Sequence, residues 1–96
     1  MRPIHAVLTG DLVKSRSRDP DTIDRAINTL ETAAAEFGEE WGFAPQFTRF
    51  RGDGWQVLLP NPIFVLDACL FLSASLTAQD DLPATRISVM GTPLRF

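Results

Sequence analysis

Two aspartates in this sequence stand beside glycines, where a turn or a close approach to a ligand is favoured. Asp11 follows Gly10 at the end of a short apolar run, and Asp53 lies between Gly52 and Gly54. Two carboxylates on adjacent turns repel one another unless a cation lies between them. Mg²⁺ commonly uses one or two carboxylates together with substrate phosphates. Asp11 and Asp53 therefore predict a site for Mg²⁺ or Mn²⁺, provided that the fold brings them together.

Basic side chains accompany both aspartates. Lys14, Arg16 and Arg18 follow the first, and Arg49 and Arg51 precede the second. Ammonium and guanidinium groups bind phosphate, so this arrangement indicates binding of a nucleoside triphosphate with its metal. The alternative is conformational, because aspartate is common in Asp-Gly turns for backbone reasons alone. A basic loop is also often only a solvated surface.

The first half of the chain predicts a strand and a helix. Residues 4–8 form an apolar run typical of an interior strand, which should end in a turn at residues 9–11. Asp19 and Pro20 predict a helix start, since they suit the N-cap and the first helical position. Apolar residues then recur at three- and four-residue spacing, and Gly38 is predicted to cap the end of the helix.

The second half predicts a hairpin, a helix and a last strand. Residues 46–51 and 55–59 should be strands on either side of the turn that carries Asp53. Asn61 and Pro62 predict the start of a second helix, which runs to about Gln79. This helix is apolar on most sides, so we expect it to be largely buried. Residues 86–90 predict the final strand.

The resulting order, βαββαβ, indicates an α+β protein with a ferredoxin-like fold. Right-handed crossovers and the split βαβ arrangement predict an antiparallel sheet of four strands in the order 4-1-3-2, with both helices on one face. In this topology the two aspartates, the start of the first helix and Arg86 all lie at one edge of the sheet.

Length and composition limit the function. The 96 residues suit a single domain, 1–96, and the net charge of −3 provides no basic field for nucleic acid. The one cysteine, Cys69, excludes an intrachain disulfide. The N-terminus lacks a signal-peptide hydrophobic region, and the apolar stretch 62–76 is too short to span a bilayer. We therefore expect a cytoplasmic protein that binds neither a membrane nor nucleic acid.

Three segments resemble class III nucleotidyl cyclases. Residues 7–13 resemble the first cyclase strand, in which an aspartate followed by two aliphatic residues binds metal. Residues 49–53 resemble the cyclase hairpin, which ends in Gly-Asp with the second metal-binding aspartate, and residues 86–92 loosely resemble a later strand. The hairpin is also similar to that of GGDEF diguanylate cyclases. Residues 10–16 together with the hairpin 51–56 resemble the poorly characterised SatD family.

These resemblances imply a palm-like domain that binds a purine nucleotide with Mg²⁺ or Mn²⁺. The implied metal ligands are Asp11 and Asp53, and the implied nucleotide-binding residues are Lys14, Ser15, Arg16, Arg49 and Arg51.

Several positions depart from the family patterns. Arg49 stands where cyclases carry the purine-selecting lysine or glutamate, and Gly54 replaces the glutamate of the GGDEF signature. The later cyclase elements would follow residue 96, so the chain resembles the N-terminal part of a longer domain. The departures leave open a second interpretation, a noncatalytic dimerisation or regulatory module that retains the palm fold.

The predicted sheet has a face that two helices cannot cover. Both faces of the first and third strands carry apolar residues, with Leu8 and Val57 on one parity and Val7 and Leu58 on the other, whereas a face left in water should show clear polar alternation. In the cyclase families that the chain resembles, paired domains build the active site between them. We therefore expect a two-fold homodimer.

Overall fold

The computed structural model describes residues 5–14, 18–50 and 52–92. Its elements in chain order are β1 (His5–Leu12), α1 (Pro20–Trp41), β2 (Gln46–Phe50), β3 (Gly54–Leu59), α2 (Val65–Thr77) and β4 (Thr85–Thr92). The strand order across the sheet is β2-β3-β1-β4, and all neighbouring strands are antiparallel. The predicted α+β topology is therefore confirmed.

Both helices cover the same face of the sheet. Alternate side chains of each central strand are buried beneath them, as the two-residue period of a strand requires. These core residues are Ala6, Leu8 and Leu12 of β1 and Trp55, Val57 and Leu59 of β3. The helices contribute a longer set, among them Ala26, Ile27, Leu30, Ala33 and Phe37 of α1 and Ala68, Leu72 and Leu76 of α2.

The opposite face of the sheet, called the outer face below, is not covered by either helix. Its central row crosses all four strands and is polar, consisting of Thr48, Gln56, Thr9 and Ser88. A neighbouring row contains Val7 and Leu58, which are half-buried. The outer face was expected to be apolar enough to need cover. The row that contains Val7 and Leu58 agrees with this expectation, whereas the polar central row does not.

β1 is longer than predicted. Residues 9–11 were expected to form a turn, but they continue the strand and pair with both β3 and β4. Gly10 is required for a different reason, since a Cβ at this position would collide with the ring of Trp55 and with the carbonyl oxygen of Arg86. The close approach that this glycine permits is therefore to the indole of Trp55.

α1 begins as predicted but ends later. The Asp19 carboxylate accepts a hydrogen bond of 2.7 Å from the backbone N–H of Thr22. The prediction of a cap at Gly38 is wrong, because the helix continues to Trp41 and Gly42 adopts the left-handed conformation with φ of 82°. Gly38 instead allows the chain to fold back closely, since a Cβ there would collide with the Phe43 carbonyl and the ring of Pro45.

α2 also differs from the prediction. Asn61 acts as a cap, but it caps a single 3-10 turn, Pro62–Phe64, and the α-helix begins at Val65. Only one side of α2 packs on the sheet, so the expectation of a largely buried helix is wrong: Leu66 and Leu70 are 68% and 61% exposed. Within the described ranges, no helix is long and apolar enough to cross a membrane.

Replacing Gly38 by alanine should destabilise the protein. Helix propensity alone favours alanine by about 0.5–1 kcal/mol, but overpacking typically costs about 1–3 kcal/mol. The new Cβ would meet backbone and a proline ring, neither of which can move aside easily. We therefore expect Gly38→Ala to lower the free energy of unfolding in urea by roughly 1–2 kcal/mol. Thr32→Ala, at an exposed position of α1, is the control and should be neutral or slightly stabilising.

Candidate functional site

The two aspartate-bearing segments meet at one end of the sheet. Asp11 is the register partner of Gly54, the residue that follows Asp53. The backbone N–H of Leu12 also donates a hydrogen bond of 3.2 Å to the carbonyl oxygen of Asp53. The topology thus brings the segments that bear the two aspartates to the same end of the sheet, as the sequence predicted.

Asp11 lies on the outer face and has a basic neighbour. Its register partner on β4 is Arg86, whose Nε donates to Asp11 Oδ1 at 3.2 Å. The two side chains are 51% and 72% exposed, so this ion pair is well solvated. Such pairs contribute about 0–1 kcal/mol. Arg86 therefore partly neutralises Asp11 without holding it firmly, and the carboxylate can still be reached by a ligand.

A hydrogen-bonded chain fixes the backbone at Asp11. The indole N–H of buried Trp55 donates to Thr85 Oγ1 at 3.0 Å, and the Thr85 hydroxyl donates to the carbonyl oxygen of Asp11 at 2.8 Å. These contacts join β3, β4 and β1 directly beneath the site. Sequence reasoning missed Thr85. The available signal was that a buried tryptophan needs an acceptor for its N–H, but the sequence does not reveal which acceptor is near.

Arg49 is already engaged by other parts of the protein. Its Nη2 forms an ion pair of 2.8 Å with Asp24 of α1, and its Nε donates to the carbonyl oxygen of Gly52 at 2.7 Å. Its register partner is Trp55, so Arg49 lies on the helix-covered face, opposite to Asp11. Arg49 thus has a structural role, which is to join the hairpin turn to α1.

Lys14 is the other predicted nucleotide-binding residue that the structure describes. Lys14 is exposed in the turn after β1, close to Asp11 in sequence, and has a φ of 56°. A non-glycine residue in the left-handed region is under strain and is held by the structure around it. Next to it, Val13 N–H donates to the Ala84 carbonyl at 2.8 Å. Ser15, Arg16 and Arg51 lie outside the described residues.

The start of α1 is capped by a carboxylate of the same chain, that of Asp19. The hydrogen bond from the Thr22 backbone N–H lowers the pKa of the Asp19 carboxyl below its usual value. Because folding lowers this pKa, the hydrogen bond stabilises the folded state fully at pH values above the usual pKa of 3.8. The stabilisation is lost as the pH falls through the lower pKa of the folded protein. At least one N–H of the helix start is therefore used internally and is not free to bind phosphate.

Asp11 and Asp53 are the two acidic residues that the fold brings to this end of the sheet. No cluster of three or more His, Cys, Asp or Glu side chains that could hold a metal occurs in the described part of the chain. Two carboxylates with open coordination positions suit Mg²⁺ or Mn²⁺ that keeps waters or binds phosphates, rather than a closed protein cage.

Cys69 is not part of this chemistry. Its side chain is half-buried, and burial raises the pKa of the thiol. The thiol is therefore protonated at neutral pH and is a poor nucleophile.

Comparison with known proteins identifies the fold. No protein-family model matches the sequence, and no curated protein has significant sequence similarity to it. Among solved structures, the guanylyl cyclase Cya2 is 20% identical with a TM-score of 0.59, over 94% of this chain and 53% of that chain. A bacterial light-regulated adenylyl cyclase is 13% identical with a TM-score of 0.63, over 97% of this chain and 60% of that chain.

A third solved structure belongs to a different class of enzyme. It is a variant of SnoaB, a cofactor-independent oxygenase from Streptomyces nogalater, which is 14% identical with a TM-score of 0.57 over 99% of this chain and 97% of that chain. At these identities the similarities concern the fold. The chain has a cyclase-like fold and spans little more than half the length of the cyclases that it matches.

Thr85→Val should destabilise the protein, because it leaves the buried indole N–H of Trp55 without its acceptor. An unsatisfied buried donor costs about 1–3 kcal/mol, and we expect a loss in this range in urea unfolding followed by tryptophan fluorescence. Thr85→Ser keeps the hydroxyl and is the matched control. Equal stability of the valine and serine variants would contradict the role of this hydrogen-bonded chain.

Proposed function

We propose that this chain is a cyclase-like domain that binds a purine nucleoside triphosphate together with Mg²⁺ or Mn²⁺. The observation that carries the proposal is the meeting of the segments that bear Asp11 and Asp53 at one edge of the sheet. The fold similarity to a guanylyl and an adenylyl cyclase supports the class of ligand. The resemblance to the SatD family rests on the same two segments.

In the proposed complex, the carboxylates of Asp11 and Asp53 would hold the metal, which would neutralise phosphate charge. The donor set supports this assignment, since two carboxylates leave coordination positions for phosphate oxygens and water. Arg86 is a basic group that already contacts Asp11 in the absence of a nucleotide. We propose that the metal replaces Arg86 as the partner of Asp11 and that Arg86 then pairs with phosphate.

Lys14, Ser15, Arg16 and Arg51 remain the proposed phosphate-binding residues. Arg49 would need to leave Asp24 before it could contact a nucleotide. Because that ion pair is partly exposed, its loss costs about 0–1 kcal/mol, so the rearrangement is accessible. The proposal concerns binding alone, since Gly54 provides no carboxylate at the position where GGDEF enzymes have glutamate.

One contact favours a second candidate, a noncatalytic dimerisation or regulatory module that retains the palm fold. The ion pair between Arg86 and Asp11 gives this aspartate a protein partner at the place where a metal would bind. In such a module the pair would be structural, and neither metal nor nucleotide would displace it.

Thermal unfolding with Mn²⁺ and either ATP or GTP separates the two candidates. A ligand present at about ten times its Kd stabilises the folded state by about 1.4 kcal/mol, which raises the Tm of a small domain by roughly 6–11 °C. We expect such a rise for at least one purine triphosphate, and its loss in Asp11→Asn because a metal ligand is removed. Asp80→Asn, an exposed acid elsewhere, is the control and should keep the rise.

The variant Arg86→Gln tests the role of the ion pair. Loss of a competing cation should raise the affinity of Asp11 for Mn²⁺ alone by up to about fivefold, the equivalent of roughly 1 kcal/mol. Binding of Mn²⁺ can be followed directly by its paramagnetic resonance signal. If wild type shows no thermal shift with any purine triphosphate and Arg86→Gln binds Mn²⁺ no better, the noncatalytic module is the correct interpretation.

Self-association through the outer face remains a prediction for this protein. Val7 and Leu58 form its apolar row, and a two-fold contact would place this row against its own copy. Light scattering over a dilution series should show a dimer at high concentration, and Leu58→Glu should shift it to monomer. Leu66→Glu, on the helical side of the molecule, is the matched control. A strict monomer at high concentration would contradict the prediction.

A further inference from the structure

A groove runs between the last turns of α1 and the middle of α2. It has a volume of about 800 Å³, and its floor is formed by Phe37, Trp41, Leu70 and Phe71. The candidate nucleotide site is at the other end of α1, where Asp24 contacts the hairpin. The groove is therefore a separate feature of the surface.

The floor of the groove is apolar and accessible. Trp41 is 51% exposed and Phe71 is 39% exposed. Their rings pack on buried Phe37, with centroid distances of 6.2 Å and 5.9 Å. Leu70 continues into an exposed apolar stripe with Leu66 of α2 and Ile63 of the preceding 3-10 turn, at the spacing of one helical face. Clustered exposed apolar side chains of this kind mark an interaction site more often than a solvated surface.

The rim of the groove is acidic. Glu36, Glu39 and Glu40 line it from α1 and Asp67 lines it from α2, and no lysine or arginine is among the lining residues. None of the ion pairs found among residues 5–14, 18–50 and 52–92 involves these four carboxylates. The rim is thus a concentration of negative charge with no basic partner in an ion pair.

The helix dipole strengthens this negative potential. The last turn of α1 has no basic residue, although cations are favoured at a helix C-terminus by about 0.3–1 kcal/mol each. Glu39 and Glu40 occupy this turn instead and add their charge to the partial negative charge of the free carbonyl groups. A cationic ligand would offset both the charge of these carboxylates and the partial charge of the carbonyl groups.

We propose that this groove binds a basic amphipathic helix of a protein partner. Apolar side chains on one face of that helix would pack on Trp41, Leu70 and Phe71, and flanking lysines or arginines would pair with the rim, which is the helix-in-groove mode of recognition. A second copy of the chain suits the groove less well. A two-fold contact at this place would bring two identical sets of four carboxylates together.

A designed peptide tests the proposal on the intact chain. The probe is a helical Leu/Lys peptide without tryptophan, with leucines on one face and lysines on the other. We expect it to shift the emission of half-exposed Trp41 to the blue, and to bind at least about tenfold more tightly than a Leu/Glu peptide of the same pattern. Binding should weaken with added salt, because the charges involved are exposed.

Two variants locate the contact. Leu70→Lys changes an exposed side chain, so the fold should be retained by circular dichroism, and the Leu/Lys peptide should bind at least about tenfold more weakly. The double variant Glu39→Gln with Glu40→Gln should also bind more weakly. Its control, Glu31→Gln with Asp80→Asn, makes the same change of net charge at exposed positions outside the groove and should bind as wild type does.

Three results would overturn the proposal. One is equal binding of the Leu/Lys and Leu/Glu peptides, and another is binding without a shift of the Trp41 emission. The third is a dimer that Leu70→Lys dissociates while the peptide fails to bind, which would assign the groove to a second copy of this chain.

Discussion

The packing of Trp55 across Gly10 is the constraint on which the rest of the sheet depends. Only a residue without a side chain lets β1 pass so close to the indole, since a Cβ would collide with the ring and with the backbone of β4. The indole N–H then reaches Thr85, which in turn reaches the Asp11 carbonyl. One side chain thus fixes the register of three strands at the end of the sheet that carries the candidate site.

The position of Asp11 follows from that register. Because successive residues of a strand point to opposite faces, a buried contact at Gly10 directs the next residue, Asp11, to the outer face. There it meets Arg86, and its backbone lies beside the turn that carries Asp53. The core and the candidate site are therefore two sides of the same short piece of strand. A change that disturbs the indole also moves the carboxylate.

Much of the fold could be predicted because its signals are local or topological. Asp19 and Pro20 indicate the start of α1 from local sequence alone. The handedness of crossovers predicts the strand order, and this order places both aspartates at one end of the sheet. Two of the errors concern glycines whose purpose is tertiary, Gly10 and Gly38. Gly38 resembles a cap in sequence but is needed for the contact with Pro45, and the true cap is Gly42. Arg49 resembles a ligand-binding residue, and nothing in the sequence reveals its contact with Asp24.

Arg49 links α1 to the turn that bears Asp53. The strength of this contact limits how far a movement of α1 can change ligand binding at the turn. A solvated ion pair contributes at most about 1 kcal/mol. A shift of α1 that acts through this contact can therefore change ligand affinity at the turn by no more than about fivefold, because coupling between two sites cannot exceed the free energy of the contact that carries it. By this route, α1 would adjust the affinity of the site gradually and would not act as an on–off control.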